Sequence, residues 1–184
     1  MIIGICGKSG SGKSTFAKQI LESYPNAIHV DIDKIGHLSH EDKEVKKKLV
    51  DTFGENVLVD GKVDRKYLGK KVFNNEQAMN LLSDITWSFM ENKIDEIINL
   101  NKDKIIILDW LLLPKTKYLK KCKLKILVDT PYEIRLERCL KRDNITEKDF
   151  ELRESSSIQY KIEDFDIVIG KEKTELRKLV LSYE

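Results

Sequence analysis

Gly7-Lys8-Ser9-Gly10-Ser11-Gly12-Lys13-Ser14 fits the spacing G-x-x-x-x-G-K-[ST]. That spacing suits the holding of a polyphosphate. Glycines let the main chain curl until successive N–H groups face inward at phosphate oxygens. Lys13 then reaches the β- and γ-phosphates, and the Ser14 hydroxyl is placed to ligate Mg²⁺. A helix that starts here adds the positive end of its dipole. Gly7, Lys8, Ser9, Gly10, Ser11, Gly12, Lys13, Ser14 and Thr15 are therefore the predicted nucleotide contacts, with Mg²⁺ on Ser14.

Acids stand where apolar runs end: Asp31 with Asp33, Asp109 and Asp129. In open α/β sheets ligands bind outside the carboxyl ends of the strands, so these carboxylates are expected on the cradle's side. Asp31 and Asp33 can accept a proton from an acceptor hydroxyl or hold Mg²⁺ through water. Asp109 reads as an acid that meets the metal through water and helps bind substrate. Asp129, just before Thr130-Pro131, reads first as a helix-capping carboxylate. A third group is cationic. Arg135, Arg138 and Arg142 share one helical face, with Arg153 beyond. Guanidinium forks neutralise a transferring phosphoryl group well. Arg138 and Arg142 are taken as phosphate contacts on a lid, Arg135 as a surface residue.

These groups need a frame. The runs Ile2–Cys6, Ala27–Asp31, Lys104–Asp109, Leu124–Asp129 and Asp166–Ile169 are rich in Ile and Val without alternation, as strands buried on both faces read. Helical patterns separate them, which predicts an α/β fold with helices on both faces of a parallel sheet. The first helix should open near Lys13 and stop before Pro25. Glu76–Leu100 carries apolar residues at helical spacing, as one helix or two. Pro131 suits the start of a helix over Tyr132–Arg142, and Thr146 the cap of another. The stretch from Asp33 to Asp103 is too long for a simple crossover and reads as a helical insertion covering one side of the site.

The chain has 184 residues, 41% of them hydrophobic, and a formal net charge of +2 from 33 Lys+Arg against 31 Asp+Glu. That length fits one domain. The near-neutral balance gives no overall field to attract nucleic acid, so the lysine-rich stretches at 46–48 and 115–125 read as solvated faces. Cys6, Cys122 and Cys139 are odd in number and widely spaced, which fits a reducing compartment better than a disulfide framework. His29, His37 and His40 lack metal-site spacing. Trp87, Phe89 and Trp110 read as core. No run approaches a membrane span or signal peptide, so a cytoplasmic protein starting at Met1 is expected. The residues alone leave the acceptor open: a nucleoside, nucleoside monophosphate or other small metabolite, or no acceptor in a nucleotide-binding regulator. They do not set the oligomeric state.

The cradle is followed at a suitable distance by Asp31-Ile32-Asp33, then Phe53-Gly54, then Asp60-Gly61-Lys62-Val63-Asp64-Arg65-Lys66-Tyr67-Leu68 and Val72-Phe73. With Leu127-Val128-Asp129 and Arg138-x-x-x-Arg142-Asp143, this order resembles the dephospho-CoA kinase family of P-loop kinases nearly end to end. The resemblance implies a three-layer fold with a five-stranded parallel sheet in order 2-3-1-4-5. It implies a core at 1–33 and 104–184, an acceptor-binding insertion at about 34–103 and a lid at about 138–157. The implied reaction moves the γ-phosphoryl of ATP, with Mg²⁺, to the ribose 3′-hydroxyl of dephospho-CoA. Lys13, Asp33, Asp31 and Arg142 become the catalytic residues, and Arg65 organises the acceptor. The partner is then a small molecule, dephospho-CoA or a related nucleotide, with neither nucleic acid nor membrane involved. The chain departs from the family pattern at Trp87-Ser88, Leu111–Lys115, Glu154–Ser157 and Gly170-Lys171.

Overall fold

The computed structural model describes residues 1–72 and 75–170; Phe73 and Lys171, named above, lie outside them. The chain forms two compact units, Met1–Asp31 together with the chain from Asn101 onward, and Ile32–Leu100.

The first unit is built on a parallel sheet. Its strands are β1 (Ile2–Cys6), β2 (Ala27–Asp31), β5 (Ile105–Asp109), β6 (Leu124–Val128) and β7 (Ile167–Ile169), in the order β2-β5-β1-β6-β7. Counting only these five, that is 2-3-1-4-5. The chain builds outward from β1 in both directions, and ligands bind at the carboxyl ends beside such a switch point. Helix α1 (Lys13–Ser23) lays Phe16, Ala17 and Ile20 against Ile3, Ile5, Ile107 and Ile126. It ends where an extended Tyr24 precedes Pro25, as the preference of pre-proline residues requires. The opposite face of β1 is covered as well: a Cβ added to Gly4 would lie 2.8 Å from both Cys122 Sγ and Leu113 Cδ2. Trp110 and Tyr118 are buried here too. Burial on both faces explains the unbroken apolar runs.

Among the described residues, two further helices belong to this unit. Helix α6 (Tyr132–Asp143) ends at Asn144, left-handed at φ 50°. That bend redirects the chain into α7 (Glu147–Ser155), whose cap Thr146 exchanges hydrogen bonds with Asp149 in a capping box. Asp129 does not cap α6. The cap position is Pro131, which has no side-chain bond to offer, and Asp129 is exposed.

The second unit holds α2 (Ile32–Leu38), α3 (Lys43–Phe53), the hairpin β3 (Leu58–Val59) and β4 (Lys62–Val63), α4 (Arg65–Val72) and α5 (Glu76–Leu100). The pattern over 76–100 is one helix. A core of Val45, Leu49, Val57 and Leu68, flanked by Phe53, Leu82, Ile85 and Phe89, holds α3, α4 and α5 together. The hairpin was not anticipated. Its turn is Asp60-Gly61, with φ at 50° and 72°, the backbone that two-residue hairpins demand and that Asp-Gly signals.

Candidate active site

The cradle follows from three strained positions and one helix end. Gly7 has φ 151°, and a Cβ there would lie 2.5 Å from the Val128 carbonyl oxygen and 3.2 Å from Lys13 Cγ, so the Lys13 stem passes over it. Gly10 has φ 78°, and its Cβ would lie 2.7 Å from the Arg135 carbonyl oxygen. A side chain at either position would fill the space the loop needs. Gly12 caps α1 in the left-handed region without a side-chain bond, which leaves the first-turn N–H groups available to an anion. The buried Ser11 hydroxyl has no partner among the described residues. These are the features of a loop shaped around phosphate oxygens.

Ser14, in the first turn of α1, donates to Asp109 Oδ2 at 2.7 Å. Asp109 ends β5, its side chain only 4% exposed, and the same oxygen lies 3.1 Å from His29 Nε2 on β2. Asp31 ends β2 in register with Asp109. The donors here are hard oxygens, which suit Mg²⁺. No group of three or more His, Cys, Asp or Glu that would hold a metal by itself occurs among the described residues. Mg²⁺ is commonly held by one or two carboxylates plus substrate phosphates, so this set fits a cation that arrives with a nucleotide.

Behind the loop the bonds close into a ring. Thr130 Oγ1 donates to the Ser11 carbonyl at 2.8 Å, and Arg135 Nε donates to the Thr130 carbonyl at 2.9 Å. Arg135 Nη1 and Nη2 reach Glu154 at 2.7 and 3.0 Å, and Glu154 takes Lys8 Nζ at 2.6 Å. Lys8 is bonded in turn to Ser11 through the main chain, at 3.1 Å. The Arg135 guanidinium, and after it Lys8, holds the Glu154 carboxyl below its usual range despite partial burial. Arg135 is 5% exposed, so the expectation of a surface residue was wrong. Its partner lies nineteen residues on, and Glu154 meets Lys8 across 146 residues, so no local spacing could announce either contact. Tyr160, also missed, accepts from Gly7 N–H at 3.2 Å and donates to the Leu111 carbonyl at 2.9 Å.

Other cations sit at the rim. Arg138 Nη1 donates to the carbonyls of Gly10 and Ser11 at 3.1 and 3.2 Å and so braces the loop. Arg142 is turned toward Asp143 at 2.7 Å, and Arg153 reaches the same carboxylate at 2.6 Å. Arg142, helped by Arg153, pulls the Asp143 carboxyl down to about 2. A cleft of about 280 Å³ lies between Ser9, Leu111 and α7, lined also by Arg153 and Ser157. Thr15 is exposed in the first turn of α1.

Asp33 lies in the first turn of α2 and Arg65 opens α4, both in the second unit. The Asp60–Leu68 block that carried the resemblance proves largely architectural. Asp60-Gly61 makes the turn, Asp64 accepts from the N–H groups of Lys66 and Tyr67 to start α4, and Leu68 enters the core. Arg65 is exposed and charged without such a task, and burial followed by the Arg65 charge lowers the basicity of His40. The three cysteines are free and buried. Burial drives the Cys6 thiol far above its ordinary range and pushes Cys122 up to about 12, so neither is a nucleophile.

A glycine cradle after the central strand, a Lys–Ser pair opening the next helix and an acid from the adjacent strand at that serine are the working parts of a P-loop kinase. Comparison with known proteins narrows the class. The family model described as Dephospho-CoA kinase matches residues 1–174, and the chain belongs to that family of ATP-dependent phosphotransferases. It is 34% identical to the dephospho-CoA kinase of Fusobacterium nucleatum, over 92% of this chain and 88% of that one. It is 36% identical to that of Aquifex aeolicus, over 91% and 86%. Among solved structures, the dephospho-CoA kinase of Campylobacter jejuni aligns over 98% of this chain and 94% of its own at a TM-score of 0.65 and 26% identity. A Thermus thermophilus protein shares the fold at a TM-score of 0.81 and 24% identity, over 99% and 96%. Among the described residues no helix is long and apolar enough to cross a membrane.

Proposed function

We infer that this chain transfers the γ-phosphoryl group of ATP to the ribose 3′-hydroxyl of dephospho-CoA, yielding CoA, ADP and a proton. Family membership supports the reaction, and the Ser14–Asp109 contact beneath the glycine cradle is the observation that carries the assignment of roles. Mg²⁺, when bound, supplies positive charge on the β- and γ-phosphate oxygens. Ser14 and, through water, Asp109 would hold it. The loop N–H groups and Lys13 grip the phosphates and meet the charge that develops on the transferring group. Arg138 keeps the loop in shape while Arg142, released from Asp143, clamps phosphate. Asp33, with Asp31 beside it in sequence, accepts the proton of the attacking hydroxyl, and Arg65 orients the acceptor in the second unit. Three free, buried thiols suit a cytoplasmic protein acting on a small molecule.

The test is direct. Purified protein with MgATP and dephospho-CoA yields CoA by mass spectrometry, and adenosine and AMP serve as competing acceptors. No CoA, with turnover of either competitor, overturns the acceptor assignment. Asp33→Asn lowers kcat by about 10²–10⁴ with ATP affinity unchanged, the range for a positioned general base. A loss confined to ATP affinity removes Asp33 from that role.

A further inference from the structure

We propose that His29 is a positioning residue for the Mg²⁺ side of this site, its imidazole N–H fixing the Asp109 carboxylate that faces Ser14. The proposal rests on the metal reading given above. His29 Nε2 lies 3.1 Å from Asp109 Oδ2, and the proposal assigns the ring the tautomer that donates to this carboxylate oxygen. Ser14 and His29 both donate to Oδ2, one from the helix after β1 and one from the edge strand β2. Held from two sides, the carboxylate keeps one rotamer, with Oδ2 engaged and its second oxygen left to accept from water. The ring is well placed to hold it, with its side chain 16% exposed and wedged at the sheet edge beside the strand that Asp109 ends. A buried carboxylate needs such partners, since leaving it unpaired is costly. Groups that hold a metal ligand in place through a hydrogen bond typically account for 10- to 100-fold in metal affinity or activity.

The experiment compares His29→Phe, His29→Gln and Asp109→Asn with the unaltered protein. Mn²⁺ affinity of the enzyme–ADP complex is read from the paramagnetic resonance of free Mn²⁺, and free Mg²⁺ dependence from turnover. ADP affinity without metal is read by calorimetry in EDTA. His29→Phe weakens Mn²⁺ binding about tenfold and raises the half-saturating Mg²⁺ in step, with metal-free ADP affinity within about twofold. His29→Gln, whose amide restores an N–H donor, recovers most of the loss. If Asp109→Asn weakens Mn²⁺ binding and His29→Phe does not, or if Gln is as poor as Phe, the positioning role is overturned while the metal reading stands. If neither His29→Phe nor Asp109→Asn moves Mn²⁺ affinity, the metal reading falls and His29 with it. Should His29→Phe fail to fold, the ¹⁵N signal of His29 Nε2 in the unaltered protein decides: it shifts on adding Mg²⁺ to the ADP complex, and an unmoved signal overturns the proposal.

Discussion

Arg135 and Arg142 stand seven residues apart on α6, yet the first is 5% exposed and bonded through Nε, Nη1 and Nη2, while the second keeps 61% of its side chain in solvent. Arg135 closes the ring behind the cradle. Arg142, itself exposed, shares the partly buried Asp143 carboxylate with the exposed Arg153 at the rim. A buried ion pair is costly to break because the survivor is left uncompensated, whereas an exposed pair contributes only about 0–1 kcal/mol. The inner arginine is therefore part of the scaffold. The outer one gives up little when it leaves Asp143, which suits a group that must move onto a substrate.

The comparison can be broken at either end. The largest effect belongs to Arg142→Ala. It lowers turnover by about 10³, equivalent to about 4 kcal/mol of barrier, if the residue meets the transferring group as transition-state arginines do. Its Tm stays unchanged. Near-full activity would remove Arg142 from the lid's chemistry. Next comes Arg135→Met, which lowers stability by about 3 kcal/mol in denaturant unfolding because Glu154 loses its main partner. Arg135→Lys recovers only part, since one ammonium cannot serve Thr130 and Glu154 together. A stable Arg135→Met protein would make the ring ornamental. Smallest is the acid response at the rim. Asp143 titrates at about 2 in the folded protein against an ordinary 3.8. The folded value is the lower one, so the tie to Arg142 and Arg153 is fully present above the ordinary value. It is lost as pH falls from about 4 through 2. The Arg142 side-chain N–H resonance reports this, and Asp143→Asn abolishes the response.

What the sequence made legible was short-range. The apolar runs became strands whose ends moved by at most a single residue: Lys104, Asp129 and Asp166 are flanks, although the N–H groups of Asp129 and Asp166 still bond the neighbouring strand. The cradle was legible because its chemistry is compressed into eight positions, and Pro25 and Thr146 marked helix ends through local sterics and hydrogen bonds. The ring was not legible. Lys8, Thr130, Arg135 and Glu154 meet only after β1, β6, α6 and α7 have packed, and nothing in the spacing of four polar residues predicts that closure. The hairpin was a different failure. Asp60-Gly61 is a strong local turn signal that lies hidden inside a longer family signature. His29 lacks the spacing of a metal ligand, and its contact is with a carboxylate one strand away, which no local pattern announces.

The burial of all three thiols gives this molecule a built-in reporter. Cys6 lies in the central strand, Cys122 under the face opposite α1 and Cys139 within reach of Ser9 in the loop. An alkylating reagent meets each of them only when its own neighbourhood opens, so three labelling rates from one sample would chart how openings are distributed between the sheet and the loop. A nucleotide that steadies the loop would slow the reaction at Cys139 first, which makes the protein its own occupancy gauge.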